Sequence, residues 1–263
     1  TNSEQIKSIR AANREAVKTQ SEFPVSWTLD RSKSVQITYK GFLAGRKPSA
    51  VSGQPRLYYD RSKPFEKSVP FYNTYQSKTI IKKPLSYVVP QGWWKVIDLL
   101  KINQVNMRRL TKDSTVEVEI YRIEDFKASA RQYESHHINT EVKVSTGKKQ
   151  IKFRKGDYLI PMNQIANRFI MEVLEPQGDD SYFAWNFFDA TLGQKEGYSS
   201  YVFEDTAEEF LKSNPDIRSK LEERKKTDTA FAKSGAAQLN YVYQQSPYFE
   251  PDLMRYPVYR IIK

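Results

Sequence analysis

A short apolar run, a turn and an amphipathic helix occur in that order twice in this chain, and no other feature restricts the fold as much. Residues 85–89 are stopped by Pro90-Gln91-Gly92; Trp93, Val96, Ile97, Leu99 and Leu100 then repeat at helical spacing, and 105–110 reads as a further strand. The second unit begins at Tyr158-Leu159-Ile160 and turns at Pro161-Met162-Asn163. It continues into a helix carrying Ile165, Ala166, Phe169, Ile170, Val173 and Leu174. Parallel neighbours in a sheet need a crossover, most often a helix. The two units therefore predict a small, mainly parallel sheet with packed helices.

Other patterns fill in the rest. Residues 115–123 alternate, with Val116, Val118 and Ile120 set against Glu117, Glu119 and Tyr121, and 141–144 and 150–153 flank Ser145-Thr146-Gly147 as hairpin strands flank a turn. This predicts an antiparallel ribbon inserted between the two units. Helices are expected over 204–210, 216–224 and 229–244, and 256–261 closes the chain as a strand paired with the parallel sheet. The stretch 182–188 is too aromatic to lie in water as a whole, so most of it belongs in the core.

At the start, Asn2 and Gln5 suit a helix cap and its reciprocal partner, and Ile6, Ile9, Ala12, Ala16 and Val17 form one stripe of a helix running to about Lys18. From Phe23 to Pro84 the texture is aromatic and β-branched, punctuated by Gly41, Gly45, Pro48, Gly53, Pro55, Pro64 and Pro70, with strands suggested at 35–43 and 56–59. The expected class is α+β, in three segments: an N-terminal helix (1–20), a loop-rich β subdomain (21–84) and an α+β domain (85–263) whose C-terminal part is helical.

Composition removes several chemistries. With no cysteine there is no disulfide framework, no thiolate metal site and no cysteine nucleophile. No apolar run approaches the ~20 residues of a membrane-spanning helix. The net charge of +11 raises the question of a nucleic-acid partner. The cations cluster beside turns and in alternating strands, where solvated faces carry lysine anyway, and that distribution weighs against nucleic acid.

The two histidines, His136 and His137, are adjacent, so in an extended segment their rings point to opposite faces and chelate poorly together. No metal site is expected in the chain. Trp93 belongs to the buried stripe of its helix, which leaves Trp94 to face outward. Trp94, His137, Trp185 and Asn186 are the candidate ligand-binding residues, suited to a peptide or glycan that stacks on an aromatic face. Asn167-Arg168 reads as helix surface and Lys155-Gly156-Asp157 as a turn. Asp179-Asp180 and Glu208-Glu209 read as turn and helix-surface acids, and an undetected hydrolase would require such carboxylates to converge in a pocket.

A family resemblance then emerges from Lys155-Gly156-Asp157-Tyr158-Leu159-Ile160-Pro161-Met162-Asn163-Gln164, Asn167-Arg168-Phe169, Glu172-Val173-Leu174-Glu175-Pro176 and Ala184-Trp185-Asn186-Phe187-Phe188-Asp189. Supporting segments are Tyr87-Val88-Val89-Pro90, Val118-Glu119-Ile120-Tyr121, Gln244-Gln245-Ser246-Pro247-Tyr248 and Arg255-Tyr256-Pro257-Val258-Tyr259-Arg260. Together these resemble the non-catalytic C-terminal region of bacterial, carboxypeptidase A-like zinc carboxypeptidases. The resemblance implies an accessory domain, not an enzyme in itself, that packs on an upstream catalytic domain of the same polypeptide in an exported bacterial protein. Zinc, its ligands, the catalytic glutamate and the carboxylate-binding arginine would all lie in that other domain, and this chain would hold no cofactor. Some relatives carry a module resembling class I glutamine amidotransferases, but that chemistry needs a thiol and is excluded here.

Overall fold

The computed structural model describes residues 2–262, so the outermost positions of the first and last expected segments lie outside the described residues. In chain order the elements are α1 (Asn2–Thr19), β1 (Glu22–Leu29), β2 (Val35–Pro48), β3 (Pro55–Phe71), β4 (Tyr75–Lys82), β5 (Ser86–Val89), α2 (Trp94–Ile102), β6 (Arg108–Arg109), β7 (Ser114–Ala128), β8 (Asn139–Phe153), β9 (Tyr158–Pro161), α3 (Asn167–Leu174), α4 (Ser200–Ser213), α5 (Pro215–Thr227), α6 (Thr229–Ala232), α7 (Gly235–Gln245) and β10 (Tyr259–Ile261). The chain divides into two compact units, Pro24–Ile81 and the remainder.

In the larger unit six strands form one sheet in the order β6-β9-β5-β10-β7-β8, and every neighbouring pair is antiparallel. This overturns the expected mainly parallel sheet. The physical reason lies in what fills the gap between β5 and β6. Both strands pair antiparallel with β9, Val88 and Arg108 each facing Leu159, so β5 and β6 do run in the same direction across α2. β9 occupies the slot between them, which makes strand–helix–strand a split unit and turns every hydrogen-bonded contact antiparallel. In β5 the residues Tyr87, Val88 and Val89 are all buried, so this antiparallel strand is covered on both faces and reads as the continuous apolar run expected of a parallel one.

The inserted ribbon is present but its turn is displaced. β8 continues through Ser145-Thr146-Gly147, with Gly147 opposite Ile120 and Thr146 opposite Tyr121, and the reversal occurs at 129–138. The terminal strand β10 lies in the middle of the sheet, Tyr259 opposite Val88 and Arg260 opposite both Tyr87 and Glu119. One sheet face packs Val88, Val118, Phe153 and Tyr259 together, with Phe153 and Tyr259 edge to face, their centroids 5.2 Å apart. The opposite face carries Tyr87, whose hydroxyl reaches the α3 residues through Met171 Sδ at 3.1 Å. α3 buries Ile170, Val173 and Leu174 of the expected stripe and adds Met171, while Phe169 is half-buried and Ile165, ahead of the helix, is exposed.

Helices α4 to α7 have a core of their own built from Phe203, Ala207, Leu221, Phe231, Leu239, Val242 and Tyr243. The single helix expected over 229–244 is two. Asp228 accepts from Phe231 N at 2.9 Å to start α6, and Ser234 accepts from Ala237 N at 3.2 Å to restart the chain as α7.

The smaller unit is a pair of nested ribbons, β1 with β4 and β2 with β3. Strands expected at 35–43 and 56–59 extend instead over 14 and 17 residues. A two-stranded ribbon has a free outer edge on each strand, so Pro48, Pro55, Pro64 and Pro70 break no interior ladder. Gly41 and Gly45 face Phe65 and Tyr58, whose rings lie where a Cβ would stand, 2.9 and 2.7 Å away. Glycine here lets an aromatic from the opposite strand cover the backbone.

Candidate functional site

The loop 129–138 between β7 and β8 is drawn into a tight reversal. Tyr133 and His136 exchange both backbone hydrogen bonds at 2.9 Å, while Glu134 and Ser135 between them take φ of 48° and 67°. Two successive left-handed residues define the turn that matches strand twist, but neither is the Asn or Gly that adopts it at no cost. The turn is held against the segment 180–189. Asn139, buried at the start of β8, donates to Phe183 O and to Asp189 Oδ1, each at 3.1 Å.

Three of the four residues singled out for ligand binding meet here. Asn186, itself left-handed at φ 65°, donates through Nδ2 to His137 O at 2.9 Å. Its Oδ1 is therefore an acceptor, and His136 Nδ1, 3.2 Å away, must carry the proton. His137 Nδ1 lies 2.7 Å from Ser129 O, again an acceptor, so that nitrogen is protonated as well. Trp185 meets His136 edge to face at 5.4 Å and Tyr133 at 6.1 Å, and its indole N–H donates to Asp180. Burial holds the Asp189 carboxyl above its usual range, opposed by hydrogen bonds from Asn139 and Asn186 and by His136 nearby.

Trp94 stands apart from this cluster. It opens α2 with its ring exposed and the Lys95 ammonium 5.7 Å above it. Its neighbour Trp93 turns inward and packs on Phe188 with centroids 5.0 Å apart. Asn167 is buried and spends its side chain on Met162 O and Gln164 N, and Arg168 pairs with Glu172 one helical turn on. Glu208 pairs with Lys212 at 2.6 Å on the surface of α4. Among the described residues, no three His, Asp or Glu side chains group as a metal ion would require. No helix among them is long and apolar enough to cross a membrane.

The sequence reading did not anticipate a broad cleft of about 1230 Å³ beside α1. Arg14, Val17 and Lys18 form one wall; Asn103, Gln104 and Asn106 after α2, with Asn163 and Ile165 before α3, form the other. Gln164 closes the base: its Oε1 accepts from Asn106 N at 2.8 Å and its Nε2 donates to Asn106 O and Pro161 O. The cleft thus has carboxamide and apolar surfaces and two cations, but no lining carboxylate. Five carboxamide side chains gathered from two separate loops leave no local signature in sequence.

Next to the cleft, α1 buries none of its side chains. Ile6 and Ile9, one helical turn apart, are 52% and 60% exposed, and Ile165 across the cleft is 74% exposed. The last turn of α1 is tied down where the Lys83 ammonium donates to Val17 O at 2.9 Å.

Among known proteins, the chain is similar to Carboxypeptidase 2 of the fungus Trichophyton tonsurans, 21% identical over 133 residues. That stretch is 50% of this chain and 24% of the length of the fungal protein. No family model matches the chain. No solved structure matches it either.

Proposed function

We propose that this chain is a non-catalytic accessory region of a zinc carboxypeptidase-like protein, exported and bacterial, that stabilises the catalytic domain or shapes its substrate cleft. In this reading the zinc and the residues acting on substrate belong to the other domain, and α1 leads from it into the accessory region. The similarity to a carboxypeptidase supports the relation. The observation that carries the docking role is the bare apolar stripe of α1. An 18-residue helix without a buried side chain gains little from folding in water, because helices draw most of their stability from packing one face. Ile6 and Ile9 are the surface that a partner domain would cover.

The test compares this chain with the longer product of its reading frame, including what is encoded upstream of residue 1. The long form is expected to bind zinc, to release C-terminal residues from peptides and to protect α1 from hydrogen exchange. Zinc-independent cleavage by the short form, or a long form without peptidase activity, refutes the reading.

A second reading is favoured by one observation, the meeting of Tyr133, His136, Trp185 and Asn186 at the 129–138 turn. It is a peptide- or glycan-binding module, with the ligand stacked on Trp185. Titration with peptides and oligosaccharides, followed by Trp185 fluorescence against a Trp185→Phe control, decides it.

A further inference from the structure

The β2–β3 ribbon has two chemically different faces. Because side chains alternate along each strand, Val35 with Phe71, Ile37 with Val69, Tyr39 with Lys67, and Gly41 with Phe65 share one face. Gln36 with Pro70, Thr38 with Ser68, and Lys40 with Glu66 share the other. Side-chain contacts agree with the assignment. Tyr39 and Phe65 approach to 6.1 Å on the first face, while Ser68 Oγ donates to Gln36 Oε1 at 3.0 Å and Lys40 pairs with Glu66 at 2.7 Å on the second.

The first face has no cover. Val35, Ile37, Tyr39 and Phe71 are 40–54% exposed, at 49%, 40%, 54% and 46%. A two-stranded ribbon is marginal in water, and a contiguous apolar patch of this kind on a soluble chain marks a site of association.

Charge narrows the occupant. Between Pro24 and Ile81 stand ten lysines and arginines against three acidic residues, a surplus of seven. Both acids of the ribbon are spent locally, Asp60 on Lys63 at 3.4 Å and on Ser62, and Glu66 on Lys40. Among the described residues Arg46, Arg56, Arg61 and Lys67 form no ion pair. A second copy would bring the same surplus against itself. Val35, Ile37 and Val69 interrupt the rings of Tyr39, Phe65 and Phe71, so the face is not the continuous aromatic platform on which successive nucleic-acid bases stack.

We propose that the β2–β3 ribbon is a docking arm whose apolar face seats on a protein surface with an apolar centre bordered by carboxylates. This rests on the proposed function in one respect: the carboxypeptidase domain is the partner that supplies the surface. Apolar contact provides the attraction, and the unpaired arginines select an acidic rim and its orientation.

Hydrogen exchange over 35–71 in the short and long forms tests this, with zinc content and peptidase activity of the long form measured in parallel. The ribbon is expected to exchange about tenfold or more slowly in the long form. Val35→Ser with Ile37→Ser, or Arg46→Glu with Arg56→Glu, should abolish that difference. Phe65 and Tyr58 are left unaltered because they cover glycines, and unchanged exchange at β1 and β4 shows that the variants remain folded. If the long form binds zinc and cleaves while the ribbon exchanges as fast as in the short form, the arm is refuted and the accessory reading stands. A long form without zinc-dependent cleavage removes the occupant and refutes both. A short form that doubles its mass through the same face, or that binds phosphatidylglycerol vesicles through it, also overturns the proposal in favour of a second copy or a membrane.

Discussion

Arg260 on the central strand β10 and Glu175 just past the end of α3 form a buried ion pair, with Nε 3.2 Å from Oε1 and the two residues 5% and 1% exposed. The guanidinium also donates to Glu119, to the Tyr121 hydroxyl at 2.7 Å and to Lys82 O, and Tyr87 donates to Glu175. One side chain thus ties the last strand to β7, to Lys82 at the end of β4 and to the residue that follows α3.

Removing one partner leaves the other buried and uncompensated. Arg260→Met should therefore destabilise the larger unit by roughly 3–5 kcal/mol. Adding Glu175→Leu to that variant should recover much of the loss, since a buried pair replaced as a whole by apolar groups costs little. Urea unfolding of the two single variants and the double variant measures the coupling.

The same pair makes stability depend on pH. Burial raises the Glu175 carboxyl above the ordinary value of 4.5, with Arg260 and the hydrogen bond from Tyr87 opposing it. Below 4.5 both folded and unfolded states hold the proton; between 4.5 and the raised folded value only the folded state does. Folding takes up a proton in that window, so stability falls as pH rises through it and then levels. Glu175→Gln should lack this component, and the wild type should lose ground to it as pH rises. Parallel unfolding curves across the window would contradict this.

Gly156 turns the chain into β9 at φ 101°, with Gln91 2.7 Å from where a Cβ would be. Gly156→Ala should cost about 2 kcal/mol through the backbone alone. It should also push Gln91 away from Lys155 O, to which it now donates at 3.0 Å. Thermal unfolding should register the loss, and exchange of the Gln91 amide, held by Asp157 Oδ1 at 3.0 Å, should report the local part.

At the 129–138 turn, Asn186 serves through both its backbone and its side chain. Asn186→Gly keeps the left-handed conformation and loses the bonds to His136 and His137 O; Asn186→Ala loses both. The alanine variant should be the less stable by about 1 kcal/mol. Both should speed hydrogen exchange at 129–138, and equal stabilities would show that the backbone is not strained there.

The candidate ligand residues illustrate how far a linear reading reaches. Trp185, Asn186 and His137 were legible as polar and aromatic groups suited to a ligand, although 182–188 as a whole read as core, and the fold places them at one turn. Trp94 has the same credentials but lies elsewhere, because position on a helix surface says nothing about what stands opposite. The ion pair escaped notice for a related reason. Arg260 sits in an alternating strand where a charge reads as the wet face, and only insertion of β10 between β5 and β7 makes that position interior.

By itself the sequence marked the helices after Trp93 and before Leu174 and the alternating strand at 115–123, since side-chain periodicity is a property of the local backbone, but it marked neither β1, nor β4, nor the break between α6 and α7. It also excluded thiol chemistry through its lack of cysteine. Tertiary structure decided strand direction and neighbours: β9 fills the gap between β5 and β6, and β10 arrives from the far end of the chain to sit at the centre. Those outcomes depend on pairing between segments remote in sequence, and a central strand buried on both faces reads as a continuous apolar run whichever way its partners run.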